Sequence, residues 1–338
     1  MIKEAILKIV KGTDLTEQEM IHVMNEVMTG GASAAQIAAF ITALRIKGET
    51  VSEITGAARV MREKSTRVIA PSDDVVDTCG TGGDESMTFN ISTAAAFVAA
   101  GAGVTVAKHG NRSVSSKSGS ADVLRSLGVN IEAGVSRVEE CIKEAGIGFL
   151  FAPLLHGAMK YAAPVRREIG IRTIFNILGP LTNPAGARRQ VVGVYDPALT
   201  DMLAKVLYNL GSRRAFIVHG SDGLDEITLA GETRVTELDE GVIKTYHIRP
   251  EEFGFERCAP DELKGGDPDV NAGIILDMLK GKKDAKRDIV LLNGAAAITA
   301  AGKTHNLKEG IAVARGAVDS GEALKRLEKL KEVTNRCS

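Results

Sequence analysis

The chain has 338 residues, and its 42 lysines and arginines almost balance its 43 aspartates and glutamates, which gives a formal net charge of −1. A hydrophobic fraction of 44% excludes an intrinsically disordered chain. The sequence pI near 6.6 lies well below the basic values typical of free-standing nucleic-acid binders. Charged residues interrupt the N-terminal segment, and no uncharged apolar run reaches the roughly 18 residues that cross a bilayer. We therefore expect a cytoplasmic globular protein that binds neither membranes nor nucleic acid.

Residues 1–70 are predicted to form a small α-helical domain. Three capping boxes open successive helices at Thr16–Glu19, Ser33–Gln36 and Thr50–Glu53. In each pair the Ser or Thr oxygen and the later Glu or Gln satisfy free N–H groups of the first helical turn. The segment 158–185 has the pattern of a helix followed by a Gly- and Pro-containing loop, and we expect it to return to this bundle and complete it.

Residues 71–338 are predicted to form a larger α/β domain. Short β-like runs alternate with helices, which favours a central, mostly parallel sheet flanked by helices. The predicted strands are Val75–Cys79, Gly103–Lys108, Gly148–Phe151, Gln190–Tyr195, Ala215–His219, Thr233–Leu238 and Val242–His247. The predicted helices between them are Ser92–Gly101, Ser120–Leu127, Arg137–Ala145 and Leu199–Leu210, and the chain is again helical after Asn271.

A glycine-rich loop follows the first predicted strand. Gly80–Asp84 leads to a hydroxyl-rich segment, Thr88–Thr93, that opens an Ala-rich helix. Bare backbone N–H groups and a helix N-terminus together favour binding of an anion such as phosphate. The loop lacks the Gly-Lys-Ser/Thr of a P-loop and the GxGxxG of a dinucleotide site. The alternative is a tight turn before a capped helix.

A second polar loop, Lys108–Ser120, follows the second predicted strand. It combines three cations with several hydroxyls at the carboxyl end of a strand, where ligands of open α/β sheets gather. Lys108 would supply a point charge for phosphate and Arg112 a planar fork. We interpret His109 as a ligand contact and not as a general base, because no carboxylate partner is visible near it in the sequence. A solvated polar loop is the alternative.

Two adjacent carboxylates follow the strand Ala215–His219. Asp225 and Glu226 are hard oxygen donors of the kind that Mg²⁺ prefers. Neighbours in an extended segment point to opposite faces, so they would serve two ions, or one ion directly and another through water. An ordinary acidic turn explains the pair equally well. The four cysteines are far apart and form no CxxC pair, which argues against a zinc site.

Four long motifs occur in one order along the chain: DTCGTGGDESMTFNIST, VAKHGNRSVSSKSGSADVLRSLG, FAPLLHGAMKYAAPVRREIGIRTIFNILGPLTNPA and VHGSDGLDEI. Together they resemble the anthranilate phosphoribosyltransferases, and the similarity runs to about residue 330. The resemblance implies a nucleoside phosphorylase-like fold, a homodimer built through the helical domains, and hinge closure around the ligands. It implies Mg²⁺-dependent transfer of the 5-phosphoribosyl group from phosphoribosyl diphosphate to the amine of anthranilate, in tryptophan biosynthesis.

The resemblance also assigns residues. The donor would be bound by Gly80, Gly83, Asp84, Thr88, Asn90, Ile91, Ser92, Thr93, Lys108, His109, Gly110, Asn111, Arg112, Ser113, Val114, Ser115, Ser116 and Ser120. Anthranilate would be bound by Gly80, Asn111 and Arg166, with Arg166 matched to its carboxylate. Ser92, Asp225 and Glu226 would hold two Mg²⁺ ions per subunit. Catalysis would be electrostatic, through the metal and Lys108, without an assigned base.

Two alternatives remain at this stage. A pyrimidine nucleoside phosphorylase shares the architecture but carries a different glycine loop and lysine motif. A non-catalytic relative that binds nucleic acid would carry a basic surface and would have lost Asp225, Glu226 or the anthranilate residues. The net charge of −1 argues against the second alternative.

Overall fold

The computed structural model describes residues 1–72, 74–84, 86–113 and 118–336. Val114, Ser115 and Ser116 of the predicted donor site lie outside the described residues. Within the described part, the helices are α1 (Ile2–Val10), α2 (Glu17–Met28), α3 (Ala34–Lys47), α4 (Val51–Lys64), α5 (Ile91–Gly101), α6 (Ser120–Ser126), α7 (Val135–Ala145), α8 (Ala152–Leu155), α9 (Ala163–Ile169), α10 (Ile174–Leu178), α11 (Leu199–Asn209), α12 (Pro268–Leu279), α13 (Ala285–Ala300), α14 (Leu307–Asp319) and α15 (Glu322–Thr334). None of these helices is long and apolar enough to cross a membrane.

The capping boxes form as predicted. Each of α2, α3 and α4 begins with a reciprocal pair in which the cap hydroxyl accepts an N–H and the later side chain binds the cap backbone. The Glu53 carboxylate also accepts a hydrogen bond from the backbone N–H of Leu15 at 2.9 Å. It forms an ion pair with Lys47 at 3.0 Å. Because Glu53 is completely buried, these partners satisfy a charge that would otherwise be costly to bury. The bundle therefore has a fixed internal arrangement.

The described residues contain one seven-stranded sheet with the order β3-β2-β1-β4-β5-β6-β7. Its strands are β1 (Val76–Gly80), β2 (Val106–Gly110), β3 (Ile147–Phe151), β4 (Arg189–Gly193), β5 (Arg214–Gly220), β6 (Thr233–Asp239) and β7 (Val242–Ile248). The first five strands are parallel, and β6 and β7 continue the sheet in antiparallel pairing. The predicted fold class is confirmed.

Strand β2 begins later than the sequence predicts. Gly103 adopts a φ of +78° and its N–H donates to Ala100 O at 2.9 Å, which closes the last turn of α5. The chain enters the sheet only at Val106, and the strand then runs through His109 to Gly110 in register with β3. The predicted strand Gly103–Lys108 is therefore displaced toward the polar loop.

Alternating side chains of the strands feed two hydrophobic layers. On β5, Phe216 and Val218 pack with α5, α13 and α15, whereas Ala215 and Ile217 pack with α11 and the helical bundle. This period of two is expected for a sheet covered on both faces. The segment 158–185 contributes α9 and α10 to the second layer, where they contact α3 and α4.

Candidate active site

The polar segments singled out in the sequence meet at one edge of the sheet. Strands β1, β2, β4 and β5 are parallel and end there at Gly80, Gly110, Gly193 and Gly220. The chain continues from β1 outward to β2 and β3, and then returns to the other side of β1 as β4. Crevices at such a reversal are the places where open α/β sheets bind ligands.

Asp225 docks onto two glycines that are register partners on β1 and β4, Gly80 and Gly193. A Cβ on Gly80 would lie 2.4 Å from Asp225 Oδ2, and a Cβ on Gly193 would lie 1.5 Å from the Asp225 carbonyl oxygen. Asp225 Oδ2 accepts the N–H of Gly82 at 2.9 Å. Glycine at both strand ends is therefore needed to bring this carboxylate against the glycine loop. Gly193 was not among the residues predicted from the sequence.

Glu226 contacts a different segment from its neighbour. Its Oε1 accepts the N–H of Ser92 at 3.0 Å, in the first turn of α5. The two adjacent carboxylates thus diverge, one to the glycine loop and one to a helix N-terminus, as the alternation of neighbouring residues predicts. Ser92 and the carboxylate pair, predicted as metal ligands, are brought to one place.

Burial and mutual repulsion raise the pKa values of both carboxyl groups. Burial raises the pKa of Asp225 most, and the charge of Asp84 adds to the effect. The pKa of Glu226 is raised by burial first and by the charge of Asp225 second. Burial also raises the pKa of Asp84. The site therefore holds more negative charge than its protein surroundings neutralise.

The donor set suits Mg²⁺ shared with a ligand rather than a cage made of protein alone. No group of three His, Cys, Asp or Glu side chains within the described residues is arranged to hold a metal ion. Mg²⁺ characteristically takes one or two carboxylates and completes its shell with water and substrate phosphates. Asp225 and Glu226, with their raised pKa values, are carboxylates that a divalent cation would keep ionised.

Lys108 lies beneath the glycine loop. It is 3% exposed, and its ammonium donates to the Thr78 carbonyl and lies 3.3 Å from Ser92 Oγ. Burial lowers its pKa, whereas the charge of Asp77 works against that shift. The sequence predicts Lys108 to supply a point charge for phosphate. In this structure its ammonium supports the backbone from which the loop and α5 begin.

His109 is paired with a second histidine. The Nε2 atoms of His109 and His156 are 3.1 Å apart, and His109 Nδ1 lies 3.2 Å from Gly179 O. A carbonyl can only accept, so His109 Nδ1–H donates to it and His156 Nε2–H donates to His109. Burial lowers the pKa of His109 to about 3 and that of His156 to about 4. Both rings are therefore neutral near pH 7, and the partner that sequence reasoning missed is His156.

An internal carboxylate fixes the end of β2. Asp77 is completely buried, and it accepts the backbone N–H of His109 at 3.0 Å and the Asn183 amide at 2.8 Å. The same Asn183 nitrogen donates to Ala107 O at 2.8 Å. This network joins β1, β2 and the segment 158–185, so it sets where the polar loop leaves the sheet.

In the described part of the second polar loop, Asn111 and Arg112 are exposed, whereas Lys108, His109 and Ser118 are buried. Asn111 accepts the Arg112 N–H through its own side chain at 2.7 Å, and its carbonyl accepts Ser120 Oγ–H at 3.2 Å. Arg112 lies 5.8 Å from the centre of the Phe151 ring. A Cβ on Gly110 would lie 2.3 Å from Ser120 Oγ, so glycine lets Ser120 pack against the strand end. Ser113 is half-buried beside these residues.

Several residues predicted for the donor face inward. Ile91 and Thr93 are almost fully buried, and the Thr93 hydroxyl has no hydrogen-bond partner among the described residues. The Asn90 amide donates to Ser118 O at 3.0 Å. At Asn90 and Thr93 the backbone N–H groups of the α5 N-terminus are suited to meet an anion, whereas the Ile91 N–H donates to Phe89 O.

Arg166 is a half-buried cation on α9. Its guanidinium lies 5.2 Å from the centre of the Phe175 ring on α10, and burial lowers its pKa. No described carboxylate forms an ion pair with it. A desolvated guanidinium of this kind suits the carboxylate of a planar ligand.

The chain combines a helical bundle with an α/β domain whose polar segments meet at the carboxyl ends of the parallel strands. This combination is that of a class of glycosyltransferases. The helical bundle domain of a glycosyl transferase family matches residues 3–65, and the α/β domain of such a family matches residues 72–324. Both parts of the fold and the segments that form the edge lie within these matches.

Proteins that are similar to this chain over its whole length identify the family within that class. An anthranilate phosphoribosyltransferase of Geotalea uraniireducens is 58% identical over 99% of this chain and 100% of its own length. One of Pelotomaculum thermopropionicum is 57% identical over 100% of this chain and 98% of its own. A crystal structure of the Thermus thermophilus enzyme matches with a TM-score of 0.93 at 46% identity, covering 98% of this chain and 99% of that one. The chain belongs to the anthranilate phosphoribosyltransferase family, enzymes of tryptophan biosynthesis.

Proposed function

We propose that this chain transfers the 5-phosphoribosyl group of phosphoribosyl diphosphate to the amine of anthranilate, with Mg²⁺. The observation that carries the proposal is the carboxylate pair Asp225 and Glu226, held against the glycine loop and the α5 N-terminus at the reversal point of the sheet. A Saccharomyces cerevisiae relative, 30% identical with a TM-score of 0.89 over 98% of this chain and 97% of that one, has been solved in complex with PRPP and Mg.

The donor is assigned to the edge formed by β1, β2 and α5. Gly80, Gly83 and Asp84 would contact its diphosphate end. At the α5 N-terminus, Asn90 and Thr93 would offer backbone N–H groups to phosphate oxygens, while the N–H groups of Ile91 and Ser92 donate to Phe89 O and Glu226 Oε1. The second wall is assigned to Lys108–Ser113 and Ser120. Lys108 would contribute positive electrostatic potential beneath the glycine loop, because its ammonium is buried there and does not reach into solvent.

Two Mg²⁺ ions per subunit are assigned to Ser92, Asp225 and Glu226. The support is geometric, since adjacent carboxylates that diverge to two separate backbone amides would serve two ions more readily than one. When bound, Mg²⁺ supplies positive charge to the pyrophosphate that leaves. Equilibrium dialysis with ⁵⁴Mn²⁺ in place of Mg²⁺ and donor present tests the number, and saturation at one ion would refute it.

The acceptor is assigned to Gly80, Asn111 and Arg166, with the guanidinium of Arg166 bound to the anthranilate carboxylate. A relative from Saccharomyces cerevisiae, 29% identical with a TM-score of 0.86 over 97% of both chains, was solved with 4-fluoroanthranilate. In this chain the Arg166 guanidinium lies over the Phe175 ring and is partly removed from water by burial. Both properties strengthen a bidentate contact with a carboxylate.

In the chemical step the amine nitrogen forms a bond to C1 of the ribose while the bond from C1 to the pyrophosphate oxygen breaks. The electron pair of that bond leaves with pyrophosphate. An aromatic amine is neutral at pH 7, so it needs no base before attack, and its proton departs afterwards to water or to pyrophosphate. The protein therefore acts by orienting two substrates and by stabilising the charge on the leaving group.

The deciding experiment is a fluorescence assay of anthranilate consumption with phosphoribosyl diphosphate, with and without Mg²⁺. We expect Mg²⁺-dependent loss of the anthranilate signal. Arg166→Ala should raise the KM for anthranilate at least about tenfold and leave the KM for the donor nearly unchanged, since it removes one charged contact with the acceptor. Arg167→Ala, an exposed neighbour, is the matched control. No Mg²⁺-dependent turnover, or equal changes in both KM values, would overturn the assignment.

We propose a homodimer formed through the helical domain. Large apolar side chains stand exposed on the bundle: Leu7 and Val10 on α1 are 63% and 70% exposed, and Ile46 near the end of α3 is 81% exposed. Exposed apolar groups on packed neighbouring helices favour an interface. Ile46→Lys should shift the sedimentation coefficient toward a monomer, whereas Val242→Lys on strand β7 should not. Monomeric behaviour of the unmodified chain would refute the proposal.

The remaining assignments concern domains and location. We propose two domains, residues 1–70 completed by 158–185, and residues 71–338, supported by the packing of α9 and α10 against α3 and α4. We also propose a cytoplasmic location. The described cysteines, Cys79, Cys141 and Cys258, are free thiols, which suits a reducing compartment. Cell fractionation with a periplasmic marker tests the second proposal.

A further inference from the structure

Arg172 joins three separate segments at the edge of the site. It lies in the turn between α9 and α10, and its guanidinium donates to the carbonyl of Gly83 in the glycine loop. The same guanidinium lies 4.4 Å from the centre of the Tyr195 ring, just after β4. One side chain of the 158–185 segment therefore contacts both the loop after β1 and the end of β4.

Arginine suits this position for a reason of geometry. A guanidinium can donate N–H groups in its plane while its face stacks on an aromatic ring. A lysine ammonium has no such face. The Tyr195 backbone takes part as well, because its N–H donates to Thr81 Oγ1 at 3.2 Å. The glycine loop is thus held at Thr81 by Tyr195 and at Gly83 by Arg172.

The loop needs external restraint because of its composition. Gly82 and Gly83 adopt φ values of +64° and +79°, and glycine has more conformational freedom to lose than any other residue. Asp84 follows directly, and its charge acts on Asp225. A loop released at Gly83 would let Asp84 and the Gly82 N–H leave the carboxylate, and donor binding would then have to order the loop.

Helices α9 and α10 and the turn between them form a helical hairpin. Arg172 stands six residues after Arg166 on this hairpin. Arg166 stacks on Phe175 of α10, and Arg172 stacks on Tyr195 across the edge. The hairpin thus presents the proposed acceptor cation at one end and holds the donor loop at the other. Any displacement of the hairpin moves both.

We propose that Arg172 is a positioning residue that holds the glycine loop in its donor-binding form and couples the loop to the hairpin that carries Arg166. This inference rests on the proposed function, because it takes the loop as the donor site and Arg166 as the acceptor contact. Arg172 itself would touch no reacting atom.

The test separates positioning from a general loss of structure. Arg172→Ala should raise the KM for phosphoribosyl diphosphate and the Mg²⁺ concentration for half-maximal rate by about tenfold or more, with the KM for anthranilate within about twofold at saturating donor. Arg172→Lys should not restore the native values. Tyr195→Phe, which keeps the ring, should perform better than Tyr195→Ala. Arg167→Ala on the same hairpin is the control.

A readout independent of activity is amide hydrogen exchange. The amides of residues 81–83 should exchange at least about tenfold faster in Arg172→Ala than in Arg167→Ala, because the loop loses its attachment at Gly83 and the neighbouring Gly82 N–H is then held less firmly on Asp225. If Arg172→Ala does not fold, Tyr195→Ala carries the same comparison. Unchanged exchange and unchanged donor KM in a folded variant would overturn the inference. Absence of Mg²⁺-dependent activity in the unmodified chain would instead overturn the proposed function, and the exchange result would stand apart from it.

Discussion

Replacing Gly193 by alanine should disable the site with little effect on the rest of the fold. The added Cβ would lie 1.5 Å from the carbonyl oxygen of Asp225, whereas ordinary contact begins near 3.4 Å. Either Asp225 or the end of β4 must therefore move by about 2 Å. The clash involves backbone, so rotation of a side chain cannot relieve it.

The size of the effect follows from that displacement. A misplacement of about 1 Å can reduce an enzymatic rate about 100-fold, so we expect Gly193→Ala to lower kcat/KM for the donor by at least about that factor. Overpacking at a strand end costs about 1–3 kcal/mol of folding free energy, and a chain of this size should survive the loss. Gly80→Ala should be milder, because its Cβ clashes with the Asp225 carboxyl group, a side chain that can move, and meets the backbone only at 3.6 Å, at Gly193 O.

The assay is Mg²⁺-dependent consumption of anthranilate, read beside circular dichroism and thermal unfolding of each variant. Gly134→Ala is the control, since nothing lies within 4 Å of its added Cβ and its φ of −64° is open to alanine. A folded Gly193→Ala protein with activity within about threefold of the unmodified chain would refute the claim. It would mean that the position of Asp225 does not matter to the reaction.

Two further predictions concern stability. The pKa values of His109 and His156 are lowered by burial to about 3 and about 4, so the unfolded chain binds more protons than the folded one as pH falls below about 6.5. The free energy of unfolding should therefore fall with decreasing pH, by up to about 1.4 kcal/mol per pH unit for each histidine, and His156→Gln should flatten the slope in urea titrations from pH 6.5 to 4. An equal slope in the variant would contradict this account. In α14, Gly316→Ala should stabilise by about 0.5–1 kcal/mol, because alanine is the better helix former and nothing lies near the added Cβ. Gly310→Ala in the same helix should destabilise, since its Cβ would lie 2.8 Å from Ala295 O, and the order of the two melting temperatures decides the point.

Local signals in the sequence predicted much of the fold. The capping boxes at Thr16, Ser33 and Thr50 depend on residues three positions apart, and all three form. The alternation of strands and helices after residue 71 predicted the parallel sheet, and the structure confirms it. Errors lie at boundaries, as at Gly103, where a helix-closing turn delays the strand. Local pattern alone does not encode how far such a turn extends.

The site was predicted as segments but not as contacts. The motifs that carry the carboxylates and the glycine loop meet at one edge, as expected for the carboxyl ends of parallel strands. Gly193, His156 and Arg172 escaped prediction because each acts on a residue distant in sequence. Gly193 is needed only because Asp225 packs on it, and Arg172 matters only through Gly83 and Tyr195. The sequence predicted a phosphate-binding charge at Lys108 but not its burial, because a sequence does not show that β2 is covered on both faces.

The charges at the edge favour the binding of ligands that carry charge of their own. Asp225 and Glu226 have raised pKa values, and the ammonium below them, Lys108, has a lowered one. Shifts of both signs in one network mean that each charged form is disfavoured by burial, and that the protein alone does not compensate the cost. A divalent cation would bring positive charge to the two carboxylates. A polyanionic donor would bring negative phosphate groups to the side of Lys108. The fold therefore supplies the orientation of these groups, and under the proposed function the two ligands would complete an electrostatic balance that neither the carboxylates nor Lys108 reach without them.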